Sequence, residues 1–148
     1  AEAVYKNESS GWLINQFGVT EVKVEWEYYG YKWRGYIDGE GDHLLGDLKI
    51  VADAHPRKLR YKMFDMGYDR QAAMYTLLGG RKGKQYYLCA VDRGGNVSVH
   101  EITEGVMAVA MADIEYMMGQ FQRCILRDLW HMSYDFHAPH GIYKISGR

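Results

Sequence analysis

The sequence predicts a single α/β (α+β) domain: a mixed central sheet that opens with a β-meander, continues α-β-β-α, and is flanked by helices. Three observations carry this. The stretch Thr20 to Tyr29 alternates, with Val22, Val24 and Trp26 pointing one way and Glu21, Lys23, Glu25 and Glu27 the other. Such period-two patterning marks a half-buried strand. Residues 56–78 lack any alternation and stand between strand-like segments. Met107, Met111, Ile114, Met118, Phe121, Ile125 and Leu129 then recur at steps of three and four, the mark of one long amphipathic helix.

The elements follow in order. A short helical turn near Gly11–Gln16 precedes the first strand. Gly30 turns the chain into a second strand, Lys32–Asp38; Gly39–Asp42 form a loop, and His43–Val51 are a third strand. Asp53 is a candidate cap and Pro56 suits a helix's first turn, while Gly67 divides the helical region, its second piece running Tyr68–Leu78. A GGRKGK loop leads to a strand at Gln85–Asp92. Arg93-Gly94-Gly95-Asn96 is a hairpin turn, and Val97–Ile102 is its partner. Thr103 with Glu104 opens the long helix, whose methionines read as core packing, and the tail His131–Arg148 is irregular. Glycine, 17 residues in all, reads mostly as punctuation. With no Pro/Ser linker and no repeat, one domain over residues 1–148 is expected.

Composition excludes some classes. No run approaches the length of a membrane span, and no basic head with an apolar stretch opens the chain. Two cysteines, Cys89 and Cys124, make neither a disulfide framework nor a zinc cluster, so a reduced cytoplasmic setting is expected. The net charge of −1 is an average over unlike parts. Between Arg57 and Lys84 stand eight Lys/Arg against Asp65 and Asp69. Arg57, Lys58, Arg60, Lys62 and Arg70 from this basic middle are candidates for phosphate contacts, the alternative being an ordinary solvated helix face.

The chemistry lies in Gly35-Tyr36-Ile37-Asp38 and Gly46-Asp47-Leu48-Lys49. Asp47 and Lys49 are two apart on a strand and share a face. Asp38 ends the preceding strand and can lie beside Asp47 in an antiparallel pair. Adjacent carboxylates repel unless a cation intervenes, and hard oxygen donors favour Mg²⁺ or Mn²⁺, with the Leu48 carbonyl as a further donor. Lys49 can orient an attacking water or neutralise charge on a phosphoryl group. Gln71 and Tyr75 sit one helical turn apart. Each piece alone has a plain structural reading: a solvated strand, or a polar helix face with a half-buried tyrosine.

Taken together, Asp38, Gly46-Asp47-Leu48-Lys49 and Tyr68-Asp69-Arg70-Gln71-Ala72-Ala73-Met74-Tyr75 resemble the successive motifs of PD-(D/E)XK nucleases of the RecB-like branch. More narrowly, they resemble those of phage and prophage RecE-type (exonuclease VIII-like) exonucleases. There a G-x-x-D strand, a D-L-K strand and a helix bearing Q-A-A-x-Y occur in this order. Ala54-His55-Pro56-Arg57-Lys58 also resembles the family's intervening segment, and the likeness runs from about Tyr31 to the end of the long helix. The resemblance implies a restriction-endonuclease-like αβββαβ core, which the element order matches except at its start. It implies that Asp38 and Asp47, with the Leu48 carbonyl, hold catalytic Mg²⁺ or Mn²⁺, that Lys49 assists the water, and that Gln71 and Tyr75 line the site. The expected activity is metal-dependent DNA phosphodiester hydrolysis, as an exonuclease in phage recombination or DNA processing. The implied partners are DNA, further copies of the chain in a ring, and a single-strand annealing protein, within a host cytoplasm if the chain is phage-encoded. A junction-resolvase-like endonuclease, or a non-catalytic DNA-binding or assembly module, are the alternatives. The family's N-terminal helix supplies a His or Glu to the metal; here that helix is expected to be short or missing, with Glu8 the nearest acid.

Elsewhere, His131, His137 and His140 with Asp135 lack metal-site spacing and read as loop. His55 reads as a solvent loop residue. Trp33, Tyr61 and Tyr68 are candidates for stacking on unpaired bases, against ordinary packing.

Overall fold

The structure, a computed structural model, describes residues 2–131. These fall into two compact units that divide between Asp113 and Ile114. The first contains α1 (Glu2–Lys6), α2 (Glu8–Asn15), β1 (Val19–Tyr28), β2 (Tyr31–Glu40), β3 (Leu44–Val51), α3 (Pro56–Asp65), α4 (Tyr68–Ala73), β4 (Gln85–Asp92) and β5 (Val97–Ile102). A π-helical turn, Met74–Leu78, continues α4, and α5 (Glu104–Arg127) starts in this unit and ends in the second. The strands form one mixed sheet in chain order; β3 and β4 are parallel and the other pairs antiparallel. The expected mixed sheet with flanking helices is therefore found. The parallel pair requires a crossover, and α3 with α4 provides it.

The N-terminal expectation needs correction. Two helices stand where one short turn was read. Asn7 caps α2 by accepting the Ser10 N–H at 3.1 Å, and Ser10 Oγ donates to the Val4 carbonyl at 2.5 Å. Leu13 of α2 and Val4 of α1 are buried with Leu44 and Cys89, and Phe17, Tyr87 and Val99 pack around them. Burial raises the Cys89 thiol to about 11, so it behaves as a small hydrophobe. A second correction concerns α3: its N-cap is His55, whose Nδ1 accepts the Arg57 N–H, while Asp53 braces the cap by accepting the His55 N–H. Gly67, at φ 71°, separates α3 from α4 as the sequence indicates.

The opposite face of the sheet carries Leu45, Tyr86, Leu88 and Ala90, all buried. Because β3 and β4 are paired Leu45↔Tyr86, Asp47↔Leu88 and Lys49↔Ala90, Asp47 and Lys49 share that face.

Glycines inside strands serve here as seats for aromatic rings, beyond punctuation. Gly39 and Gly46 are cross-strand partners, and the Phe17 ring lies on both. A Cβ would stand 2.2 Å from this ring at Gly39 and 2.3 Å at Gly46. β1 pairs with β2 along its length, but β2 pairs with β3 only at Gly39↔Gly46 and Glu40↔Leu45. Past these pairs the two strands fork. Glu40 anchors the closed side: it pairs with Lys84 at 2.7 Å and Arg81 at 3.3 Å. Burial would raise its carboxyl, but the two cations outweigh that and hold it below the ordinary range. Two members of the basic middle are thus structural.

In the second unit, α5 buries Ile114 and Met118, whereas Phe121 and Ile125 are exposed, with Phe121 meeting Trp130 edge-on at 5.7 Å. Leu129 lies beyond the helix, so the apolar stripe is buried only over its first half. Asp135, His137 and His140 lie outside the described residues. No helix among the described residues is long and apolar enough to cross a membrane.

Candidate active site

The fork between β2 and β3 sets the site. The Gly39↔Gly46 register, extended by one residue, places Asp38 opposite Asp47. There the ladder has stopped, and the Asp38 carboxylate takes over a strand's role by accepting the Leu48 N–H through Oδ2 at 2.7 Å. In a strand the N–H and C=O of one residue point to the same side, so the Leu48 carbonyl also points into the fork. Among the described residues, Asp38 Oδ1 has no hydrogen-bond donor.

Asp47 is 2% exposed. Its Oδ1 accepts from Gln71 Nε2 at 3.0 Å, and its Oδ2 lies 2.7 Å from Lys49 Nζ. That second contact is an ion pair without hydrogen-bond alignment, so Oδ2 is a buried oxygen lacking a directed partner. Desolvation raises the Asp47 pKa; Lys49 and Gln71 oppose this, and the neighbouring Asp38 charge adds to it. Lys49 Nζ also sits 5.4 Å from the centroid of the Tyr68 ring.

Two converging carboxylates, one undirected buried oxygen and a carbonyl aimed into the same gap fit a hard divalent cation, which characteristically takes one or two carboxylates and keeps waters. Among the described residues no group of three or more His, Cys, Asp and Glu stands together. Glu8 opens α2 beside Trp12 and Val99 of β5, on the face opposite Asp47, and is not brought to the site.

The structure brings Asp38, Asp47, Leu48, Lys49 and Gln71 together at the fork. Tyr75 is different. Its ring lies on Gly35, where a Cβ would stand 2.4 Å from Cε1, and meets Trp26 edge-on at 6.2 Å. It forms no hydrogen bond to either carboxylate. A residue not singled out from sequence is Tyr86, buried beneath the site. Its hydroxyl is raised well above its ordinary value by burial first, then by Asp47, Tyr75 and Asp38. The available signal was its place on β4, the parallel neighbour of the Asp47 strand.

The five candidate phosphate contacts do not form one surface. Lys58 is paired with Asp53, and Arg70 folds back over Gly67. Arg57 and Arg60 line a groove with Met63, Phe64 and His100. Lys62 faces the other way, into a cavity bounded by Tyr68. Trp33 is packed on Trp26, with rings 6.4 Å apart and 8° from parallel, and donates its indole N–H to the Tyr28 carbonyl. Tyr61 stays exposed.

A forked sheet bearing D…D-L-K with a glutamine from the crossover helix defines a PD-(D/E)XK-type domain. The chain belongs to the PDDEXK-like domain of unknown function (DUF3799), whose family model matches residues 2–133. No curated protein matches it. Its fold is similar to the crystal structure of "Putative exonuclease" from Eubacterium rectale, with a TM-score of 0.66 and 17% identity over 82% of this chain and 50% of that one. The crystal structure of SSO0001 is 18% identical over 74% of this chain and 55% of its own, with a TM-score of 0.43. The chain thus spans about half the length of the solved proteins it matches.

Proposed function

We propose that this domain is a Mg²⁺- or Mn²⁺-dependent deoxyribonuclease, acting as an exonuclease in phage-type DNA recombination or processing. One observation carries the reading: the buried, undirected Asp47 Oδ2 converges with Asp38 and the Leu48 carbonyl where β2 and β3 separate, beside Lys49. Asp38, Asp47 and the Leu48 carbonyl would hold the cation. Bound there, it would supply Lewis acidity toward a phosphoryl oxygen and lower the pKa of water. The protein groups have separable tasks. Lys49, fixed between Asp47 and the Tyr68 face, presents an ammonium to the water and to charge developing on phosphorus. Gln71 holds Asp47 in one rotamer, and its Oε1 is left to accept from water. The resemblance to exonucleases that act in recombination supports the finer role, with a homo-oligomeric ring and a single-strand annealing partner following from the same resemblance.

The test is cleavage of labelled linear, circular and branched DNA with Mg²⁺ or Mn²⁺. Lys49→Ala is expected to slow cleavage by about 10²–10³-fold, the usual loss for one transition-state donor. Digestion from ends alone supports the exonuclease, and cutting of circles or junctions the resolvase-like alternative. DNA binding without cleavage, with no metal uptake by calorimetry, would leave a non-catalytic module.

The basic helix gives a second expected result. Lys62 makes no ion pair within the described residues and lies on the Tyr68 side. Lys62→Ala should weaken DNA binding and reduce the slope of log affinity on log salt by about 1. Arg57→Ala and Arg60→Ala, on the other groove, should change the slope less. Titrations at several salt concentrations would read this directly; equal effects from all three would mean that α3 presents a single phosphate-binding face.

A further inference from the structure

A cavity of about 240 Å³ lies beside the site, between the end of β3 and α3. Its walls are apolar, from Val51, Ala52, Leu59 and Met66, and Tyr68 closes one side. Tyr68 is a shared wall, because its ring also carries the Lys49 ammonium at 5.4 Å. The cavity therefore begins one aromatic ring away from the cation of the candidate active site.

We propose that this cavity receives a single unpaired nucleobase, that of the nucleotide next to the phosphodiester held at Asp38, Asp47 and Lys49. The proposal rests on the nuclease reading of that site and adds a substrate requirement to it. Charge complementarity identifies the occupant. The mouth offers Lys62, which makes no ion pair among the described residues, and Asp53, which is neutralised by Lys58. An apolar chamber with an aromatic wall, one unpaired ammonium at its mouth and a phosphate-handling site next door matches a flat base attached to an anionic backbone. Base–aromatic stacking tolerates every base, because each has a π-face. A base still in a pair cannot enter without its partner, so the terminal pair must open, and the domain should prefer single strands and frayed ends.

The probes are a short single-stranded oligothymidylate and the same backbone with abasic sites, bound at equilibrium in EDTA so that no hydrolysis occurs. The wild-type protein should bind the base-bearing strand about tenfold more tightly, the scale of one stacked base. Ala52 is exposed, so Ala52→Phe can fill the chamber from its rim without disturbing the core, which an unchanged circular dichroism spectrum would verify. This variant should bind both strands nearly equally. Lys62→Ala should instead weaken both by the same factor. Undiminished discrimination in Ala52→Phe, or none in the wild type, would overturn the proposal. Discrimination that is lost in Ala52→Phe, in a protein that never cleaves DNA, would support the cavity and refute the nuclease reading, so the two can fail separately.

Discussion

Asp47→Asn is expected to abolish divalent-ion-dependent cleavage, by about a thousandfold, and at the same time to raise the melting temperature. The two effects have one cause. Asp47 is held as an anion in a buried place whose net effect raises its pKa, with desolvation the leading contribution and Asp38 adding to it. A carboxyl whose folded pKa exceeds its unfolded value stabilises the fold fully below the unfolded value. That stability is lost as pH rises through the folded value, so at neutral pH the charge is a cost. Asparagine removes the charge, keeps the shape, and retains an Oδ1 to accept from Gln71. Lys49 loses its ion pair but remains partly solvated against Tyr68. A gain of about 1 kcal/mol, or about 3 °C, is therefore expected at neutral pH. The gain should disappear as the pH falls to the ordinary aspartate range. Mg²⁺ at ten times its Kd should stabilise the wild type by about 1.4 kcal/mol and leave Asp47→Asn unmoved. Scanning calorimetry with and without Mg²⁺ checks both arms; an Asp47→Asn protein that melts lower, or that still responds to Mg²⁺, contradicts this account of the site.

The parts of this arrangement legible in the sequence were those fixed by local pattern. β4 and β5 are bounded by turn residues on both sides, and their limits match the reading residue for residue. Asp38, Asp47 and Lys49 follow from strand parity and one antiparallel register. What was not legible depends on contacts between distant segments. The N-terminal helices are only five and eight residues long, and the second has a glycine inside it, so neither shows enough periodicity to be read. Phe17, which follows them, lies on the paired Gly39 and Gly46 next to the point where the β2–β3 ladder stops, and no local pattern announces that contact. Lys58 looks like a phosphate contact in sequence, and Arg81 and Lys84 swell the same basic stretch, because charge counts carry no information about Asp53 and Glu40, their partners in space.

Gly35→Ala should lower both stability and activity, although Gly35 touches neither carboxylate. Its added Cβ would stand 2.4, 2.7 and 2.8 Å from Tyr75 Cε1, Oη and Cζ, closer than packed atoms can approach. Tyr75 cannot swing freely, since Trp26 meets its ring and its backbone belongs to the π-helical turn closed by the Gly79 N–H to the Met74 carbonyl at 2.8 Å. A Cβ on Gly79 would in turn stand 2.5 Å from the Tyr75 carbonyl, so the turn is itself tightly packed around this tyrosine. Displacement must pass back along α4 to Gln71, one turn earlier, and so to Asp47. Overpacking of this kind costs about 1–3 kcal/mol, and a shift of about 1 Å at a positioned group can cost about a hundredfold in rate. On this account Tyr75 is a positioning residue through its ring. Tyr75→Phe should keep cleavage within about threefold of wild type, whereas Tyr75→Ala should lose it as Gly35→Ala does. The double variant Gly35→Ala/Tyr75→Ala should cost less than the sum of the two, because both act through one contact. Rates and melting temperatures for the four variants decide the matter: a Tyr75→Phe protein as inactive as Tyr75→Ala would return the tyrosine hydroxyl to the chemistry.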